Sequence, residues 1–393
     1  MACAFDRIVH PIPFDEFLAS YHEKRPLLVK RHDPSYYNDI VTLDQVNSHL
    51  GEGHVTYPGI RLVRHGEEAD PGDYTYAITT ATGTTDGIVD KEKLFVHFHD
   101  GYTIILNWYE RHSAGVLHLR HITERAFHAD AHANLYITPR AARGFGPHWD
   151  NHDAFILQFE GTKEWTVYDS PVLLPGRKRQ FVDGEWTAVE PTLKATLEPG
   201  DLLYLPRGFV HEANSTDEVS CHLTLGIDAY TYADLALRLL EHIDDDPWFR
   251  RSLPSSYKTG IDPRSFHEEL ARYISTVDLQ AVTDGLYAEF ASARLPDSSN
   301  RLLDYVRLRD VNAATTLARK PDMFFDVQCP GDELVLRFND KALRFPSPAR
   351  ESIQSILQAG AFRIGALPGE MDLESKIAVC RKLVEEGFLS IIG

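Results

Sequence analysis

The stretch LEPGDLLYLPRGFVHEANS, residues 197–215, decides the fold. It reads as a turn (EPGD), a short apolar strand (LLYL), a second turn (PRG) and a strand that begins at His211. Five residues separate Gly200 from Pro206, and four separate Pro206 from His211. Because each turn reverses the chain, we expect His211 to point back into the interior of a β structure.

The neighbouring sequence continues this pattern of short strands. Between residues 134 and 227, β-branched or aromatic runs are separated by turn residues: NLYITP, DAFILQFE, EWTVYD, LKATLEP, DLLYLP and SCHLTLGI. Short strands at this spacing predict a β-sandwich or a barrel. The glycine–proline–histidine spacing of residues 197–215 matches the second half of the cupin pattern, so we predict a double-stranded β-helix.

A second histidine motif, GPHWD, precedes the run DAFILQFE. On a strand, His148 and Asp150 lie two residues apart and therefore share one face. With His211 they provide two imidazoles and one carboxylate, the ligand set that leaves three positions of an octahedral Fe(II) ion open. A lone His-x-Asp pair is weak evidence, since this chain has 19 histidines. The competing pair His128 and Asp130 lies in HADAHAN, which lacks strand character, and we do not expect it to bind a metal.

Lys163 is the third residue with predicted chemistry. It follows the turn EGT and begins a strand that we expect to pair with residues 153–159. A buried lysine is costly unless it is paired with an anion. The distal carboxylate of a keto acid bound at the metal would provide that partner, although a lysine at such a turn is more often exposed.

The rest of the chain predicts a mixed α+β protein of three parts. Residues 1–230 hold the β-helix with an N-terminal α/β elaboration. Residues 231–300 show apolar residues at helical spacing, and residues 301–393 combine short strands with two helices, as in a winged-helix-like domain. The polar stretch LPDSSN, residues 295–300, is the predicted linker between the last two parts.

Net charge, cysteine spacing and apolar runs indicate which partners and which compartment fit the chain. The 393 residues carry a formal net charge of −18, which disfavours nucleic-acid binding and suits a basic partner. The last helical segment is acidic too, so direct contact with nucleic acid is not expected. The four cysteines are far apart and form no CxxC pair, and no apolar run approaches the roughly 18 residues that span a bilayer. We therefore expect a cytoplasmic protein without a membrane segment.

Together, GPHWD…FILQFEGTKEWTVY and LEPGDLLYLPRGFVHEA resemble the two metal-bearing segments of JmjC-type cupin oxygenases, specifically the ribosomal oxygenase group. EKRPLLVKR and SYY…TLDQV resemble that group's N-terminal segment. The resemblance implies an Fe(II)- and 2-oxoglutarate-dependent dioxygenase that uses O2 to hydroxylate an arginine or histidine of a basic ribosomal protein. It also implies a helical dimerisation region, a winged-helix-like C-terminal domain and a homodimer.

The resemblance assigns residues to the site. His148, Asp150 and His211 match the iron ligands, and Lys163 matches the lysine that binds the distal carboxylate of 2-oxoglutarate. Three further positions match residues of the cosubstrate pocket: Asn134, Tyr136 and Thr224. No residue beyond the metal centre is implied to be catalytic.

Other functions fit part of this pattern. The same chemistry could act on a peptide natural product or a free amino acid, or demethylate a lysine, although no sequence feature indicates a pocket for a methylated ammonium. A zinc or manganese cupin that performs hydrolysis or isomerisation would not need Lys163. A non-enzymatic cupin scaffold would be expected to lack a metal ligand, and all three are present here.

Overall fold

The computed structural model describes residues 4–52, 55–182, 184–187, 189–320 and 322–392. The chain forms two compact units, the first ending at Ala229 and the second beginning at Tyr230. The predicted boundary near residue 300 falls within the second unit, and the three-part division stays a prediction. No helix of the described ranges is long and apolar enough to cross a membrane.

The first unit begins with interspersed helices and short strands and ends, in its described residues, with seven consecutive strands. Its helices are α1 Asp6–Val9, α2 Phe14–Ser20, α3 Leu43–Glu52, α4 Pro71–Tyr74, α5 Lys91–His99 and α6 Ala114–Phe127. Its strands are β1 Leu27–Val29, β2 Ile60–Arg64, β3 Glu67–Glu68, β4 Thr75–Thr80, β5 Gly83–Val89, β6 Thr103–Leu106, β7 Asp130–Thr138, β8 Asp153–Glu160, β9 Lys163–Val167, β10 Leu193–Leu197, β11 Leu202–Leu205, β12 His211–Ser215 and β13 Ser220–Asp228. The strands expected between residues 134 and 227 are all present.

Two antiparallel sheets form the β-helix. The larger sheet has the strand order β1-β11-β8-β13-β7-β6-β2-β3, and the smaller one has the order β10-β9-β12. The outer face of the larger sheet packs on the helices through residues such as Phe17, Val116 and Phe155. Its inner face contributes Ile156 and Leu203 to a second cluster that includes Trp165 of the smaller sheet. The double-stranded β-helix predicted from the sequence is therefore confirmed.

The continuous apolar sequence of β8 has a direct structural cause. The strand lies between β11 and β13, and every residue from Asp153 to Phe159 is buried. A strand covered on both faces reads as an uninterrupted apolar run. Asp153, at its start, is buried as well and accepts hydrogen bonds from the Tyr204 hydroxyl at 2.8 Å and from Arg207 Nη1 at 2.9 Å.

Two sequence predictions about strands were wrong. Lys163 does not begin a partner of β8: β9 pairs with β10 and β12 in the other sheet. The turn at Gly161 passes the chain between the sheets, with a φ of 57° and so little space that an added Cβ would lie 1.9 Å from the Val219 carbonyl oxygen. The segment HADAHAN does contain strand: β7 begins at Asp130, and pairing with β13 overrides its weak β propensity.

A buried ion-pair network fixes α6 to β7 on the outer face. Arg120 donates from Nη1 to Glu110 Oε1 at 3.1 Å and from Nε to Glu124 Oε1 at 2.9 Å. Glu110 also accepts from the amide of Ala133 at 3.0 Å. The network therefore sets the position of the strand that carries Asn134.

Removing the cation of this network should destabilise the protein. Arg120→Met would remove the guanidinium that bridges two buried carboxylates, which costs about 3–5 kcal/mol of unfolding free energy. Chemical denaturation would measure the loss. The control is Arg125→Met at an exposed position of the same helix, for which we expect a loss below about 1 kcal/mol. Equal losses in both variants would contradict a structural role for the network.

The second unit contains helices and two small sheets. Its helices are α7 Tyr232–Leu239, α8 Pro263–Thr276, α9 Leu279–Ser292, α10 Arg301–Arg307, α11 Arg350–Gln358 and α12 Leu373–Glu385. Its strands are β14 Thr316–Arg319, β15 Asp326–Gln328, β16 Glu333–Phe338, β17 Lys341–Pro346, β18 Ala361–Arg363 and β19 Leu389–Ile391. The sheets have the orders β18-β14-β19 and β15-β16-β17. Phe290 of α9 packs on Phe324, in the segment between β14 and β15, with ring centroids 5.1 Å apart.

Candidate active site

A cavity of about 310 Å³ lies between the two sheets of the first unit. The larger sheet contributes inward-facing side chains of β2, β6, β7, β8 and β13, and the smaller sheet those of β9 and β12. His148, Asp150, His211 and Lys163 all line it. The β-helix thus brings residues that are far apart in the sequence to one space.

The three predicted metal ligands lie together at this cavity. One candidate ligand atom from each lies within 4.8 Å of those of the other two. His148 Nε2 is 3.9 Å from Asp150 Oδ1, and His211 Nε2 is 3.7 Å from Asp150 Oδ2. The centroids of the two imidazole rings are 4.5 Å apart. This spacing suits a single ion held by two nitrogens and one oxygen.

The backbone selects the tautomer of both histidines. His148 Nδ1 lies 2.8 Å from the carbonyl oxygen of Gly146, and His211 Nδ1 lies 3.0 Å from that of Phe209. A carbonyl oxygen only accepts, so both Nδ1 atoms carry the proton and both Nε2 lone pairs are free for a metal. Such a second hydrogen bond fixes the ring orientation of metal-binding histidines in proteins.

Electrostatics keep the site in a form that binds a metal. Burial, and then the neighbouring His148, lower the pKa of His211 to about 4, so its imidazole is neutral at pH 7. For Asp150, burial alone would raise the pKa, but the surrounding histidines outweigh it, with His152 the largest contributor, and lower the pKa to about 2. The site therefore presents a neutral imidazole and a carboxylate.

The second and fourth residues of the motif HWDNH form hydrogen bonds that hold the segment in place. The prediction that His148 lies on a strand was wrong, because the residue forms only a single β-bridge with His211. The intervening Trp149 is buried and donates from Nε1 to Glu185 Oε1 at 3.0 Å. Asn151 donates from Nδ2 to the carbonyl of Arg177 at 2.7 Å. One bridge suffices because these bonds hold the extended backbone on its other side.

Lys163 is a buried cation of the cavity. Its side chain is 4% exposed, and Nζ donates to Thr138 Oγ1 at 3.0 Å. Among the described residues Lys163 forms no ion pair with a carboxylate, and burial lowers its pKa to about 7. Two further buried cavity atoms have no hydrogen-bond partner in the described part of the chain: Trp165 Nε1 and His222 Nδ1. These groups fit a polar, anionic ligand.

The other predicted pocket residues lie on adjacent strands of the larger sheet. Asn134 of β7 is opposite Thr224 of β13, and Tyr136 is opposite His222. All four line the cavity. Tyr136 stacks on His222 with ring centroids 4.7 Å apart, and Asn134 Oδ1 accepts from the amide of Trp108 at 3.1 Å.

Several residues of the site were not predicted from the sequence. Thr138 and Trp165 follow Tyr136 and Lys163 by two residues, so the period of a strand could have identified them. His222 likewise precedes Thr224 by two. Two others reach the cavity through the pairing of β2, β6 and β7, for which no local sequence signal exists: Arg61 and Thr103.

A second group of potential ligands lies outside this cavity. His22, Glu23 and Asp153 approach one another closely enough for a metal. Arg207 already lies between their carboxylates, with Nη1 2.6 Å from Glu23 Oε1 and 2.9 Å from Asp153 Oδ2. A guanidinium already occupies the position between the acids, so this group is an ion-pair network.

Comparison with known proteins identifies the β-helix. Residues 113–235 match the family model "JmjC domain". The chain is 32% identical over 263 residues to ribosomal oxygenase 1 of Gallus gallus, covering 64% of this chain and 42% of that protein. It is 30% identical over 246 residues to the "bifunctional lysine-specific demethylase and histidyl-hydroxylase NO66" of Aedes aegypti, covering 61% and 37%. The chain thus spans less than half the length of these relatives.

Solved structures share the fold over nearly the whole chain. The X-ray structure of E. coli ycfD has a TM-score of 0.58 at 18% identity, covering 97% of this chain and 98% of that one. YcfD, described as a ribosomal oxygenase, in complex with cobalt and 2-oxoglutarate has a TM-score of 0.55 at 19% identity, covering 98% and 99%. The mixed fold predicted around a JmjC-type cupin core is confirmed.

Proposed function

We propose that this chain, which matches the JmjC domain family model, is an Fe(II)- and 2-oxoglutarate-dependent oxygenase that hydroxylates an arginine or histidine side chain of a ribosomal protein. The observation that carries the proposal is the shared cavity. It places two histidines and one aspartate at metal-binding distance, and it adds a buried lysine with no carboxylate partner among the described residues.

His148, Asp150 and His211 would hold the iron. Three protein ligands of this kind leave three positions for a bidentate cosubstrate and O2. When bound, iron with 2-oxoglutarate supplies the chemistry: O2 is reduced as 2-oxoglutarate is decarboxylated to succinate and CO2, and one oxygen atom enters a C–H bond of the substrate.

Lys163 would bind the distal carboxylate of 2-oxoglutarate. Its Nζ and the Thr138 hydroxyl are 3.0 Å apart, so both can donate to one carboxylate. Asn134, Tyr136 and Thr224 lie on the larger sheet, across the cavity from β9, and would complete the cosubstrate pocket. The pairing would offset the cost of burying the lysine.

The remaining lining shields the reaction from water. Ala154, Ile156 and Trp165 supply apolar surface to the cavity that holds the three ligands. The protein's contribution is to orient substrate and cosubstrate and to exclude solvent. No side chain of the cavity needs to act as a nucleophile.

The substrate is proposed to be a basic protein. The relatives are named ribosomal oxygenases, and the net charge of −18 favours a cationic partner. The same charge disfavours direct nucleic-acid contact. Lysine demethylation is the second candidate, because relatives are also named lysine-specific demethylases.

A homodimer is proposed from the helices α7–α9. They expose large apolar side chains, including Tyr232 at 91% and Leu237 at 67%. Exposed apolar patches of this kind mark protein interfaces. Light scattering of the purified chain would test the oligomeric state, and a strictly monomeric species would refute the homodimer.

The free thiols of Cys221, Cys329 and Cys380 support the cytoplasm as compartment.

The test is succinate formation by the Fe(II)-loaded protein with 2-oxoglutarate, with and without ribosomal proteins. We expect turnover and the added mass of one oxygen atom on an arginine or histidine. Loss of a methyl group with release of formaldehyde would instead establish demethylation. Turnover without either product would support action on a peptide natural product or free amino acid. No turnover, with tighter binding of zinc or manganese than of iron, would refute the oxygenase.

A further inference from the structure

Arg61 is a second cation of the cavity, and the proposed binding of iron and 2-oxoglutarate does not use it. Strand pairing places Arg61 opposite Ile105 of β6, which in turn lies opposite Tyr136 of β7, so Arg61 and Tyr136 are on the same, inner face. Arg61 Nη1 pairs with Glu68 Oε2 at 3.1 Å. Its Nε is buried and has no hydrogen-bond partner in the described part of the chain.

Each carboxylate of the described cavity lining already has either a bonding partner or a proposed role as iron ligand. Within its described lining, the acidic residues are Asp150, the proposed iron ligand, and Glu212. Glu212 Oε2 is 2.6 Å from Arg143 Nη2, and its Oε1 accepts from the Tyr168 hydroxyl at 2.7 Å. Along the described lining, a cationic side chain that enters the cavity would therefore meet Arg61 and no uncommitted carboxylate.

We propose that Arg61 is a specificity-determining residue that makes the cavity select an uncharged, hydrogen-bond-accepting side chain, an imidazole or a carboxamide, over a guanidinium or a methylated ammonium. This inference rests on the proposed oxygenase function and narrows its substrate class. Of the side chains considered above, it selects histidine and rejects arginine and methylated lysine.

The physical reason is that an entering cation would find no free counter-ion beside Arg61, because Glu68 already balances the charge of Arg61 itself. A guanidinium or ammonium beside Arg61 would lose its hydration without gaining a counter-ion. A neutral imidazole has one nitrogen that accepts a hydrogen bond, and a carboxamide has its oxygen. The guanidinium of Arg61 can donate to either, which would also satisfy its buried Nε–H.

Pools of peptides with randomised flanks and one fixed central residue would test this selection. The central residues are histidine, asparagine, glutamine, arginine and dimethyl-lysine. Binding of each pool is measured with the protein loaded with Mn²⁺ and 2-oxoglutarate, and oxygen incorporation is measured with Fe(II). We expect the neutral pools to exceed the cationic ones by about tenfold or more. Preference for arginine or dimethyl-lysine, or equal binding of all pools, would overturn the inference.

Substitutions at two positions of β2 test whether Arg61 causes the selection. Arg61→Glu should raise the binding of cationic pools relative to neutral ones by about 10- to 100-fold, whereas Arg61→Lys should keep the wild-type order. Arg64→Gln removes a positive charge from the same strand, at a side chain that stacks on Tyr102, and should change nothing. An unchanged order in Arg61→Glu, with a normal unfolding transition, would overturn the role of Arg61. Succinate formation without peptide reports separately on the oxygenase function.

Discussion

Replacing Asp150 by alanine should abolish metal binding at the cavity and reduce succinate formation to background. The carboxylate lies close to both imidazoles, 3.9 Å from His148 Nε2 and 3.7 Å from His211 Nε2. It is also the anionic member of the ligand set, so its loss leaves two neutral nitrogens to hold a dication. Removing only an outer-shell partner of a metal site costs roughly 10- to 100-fold in affinity, and loss of this ligand should cost more. Titration with Mn²⁺ or Co²⁺ would measure the change.

The chain itself offers the control for this experiment. Asp130 follows His128 at the same His-x-Asp spacing, but it begins β7 and is not among the described residues that line the cavity. Asp130→Ala should therefore bind the metal like the unaltered protein. Full metal affinity in Asp150→Ala, or an equal loss in Asp130→Ala, would refute the assignment of the iron site.

The contrast between these two pairs shows what local sequence can predict. Both pairs have the His-x-Asp spacing, and this spacing alone does not specify a metal site. The GPHWD pair is favoured because a turn–strand–turn unit elsewhere supplies His211, and turn chemistry is encoded locally. The structure brings the three side chains together as predicted, yet His148 needs only one β-bridge. The composition of this cluster was thus predictable without the correct local secondary structure.

Long-range pairing is what a short stretch of sequence does not reveal. Nothing around Lys163 distinguishes a hairpin with β8 from a crossing into the other sheet, because both begin with the same Gly161 turn. The crossing is decided by the pairing of β9 with β10 and β12. Arg61 reaches the cavity only because β6 connects β2 to β7. Such registers depend on packing of the whole sheet and have no signature within a short window.

Replacing Lys163 by methionine should weaken 2-oxoglutarate binding by roughly 30- to 700-fold, equivalent to about 2–4 kcal/mol, with metal affinity nearly unchanged. Methionine retains much of the side-chain volume and removes the charge. Because Lys163 is buried without a described carboxylate partner, the variant should also be more stable without cosubstrate at pH 7. Weaker binding in a more stable protein excludes misfolding as the cause. Calorimetry with 2-oxoglutarate and thermal unfolding measure the two quantities.

Lys194→Met is the matched control for this substitution. Lys194 lies on the neighbouring strand β10, is exposed, and pairs across the sheet with Thr166. The change should affect neither cosubstrate binding nor stability by more than the small effects usual at surfaces. Equal losses of metal and 2-oxoglutarate affinity in Lys163→Met would refute a specific carboxylate-binding role for the lysine.

The pH dependence of binding tests the same lysine without a substitution. Burial lowers the pKa of Lys163 to about 7 from its ordinary value of 10.5. Between these values the unfolded state binds more protons than the folded state, so the unfolding free energy of the cosubstrate-free protein should rise with pH there. The dicarboxylate requires the protonated amine, so its affinity should fall as pH rises above about 7, by up to about tenfold per unit. Lys163→Met should lose both slopes. Affinity that does not change with pH in the unaltered protein would show that the distal carboxylate is bound elsewhere.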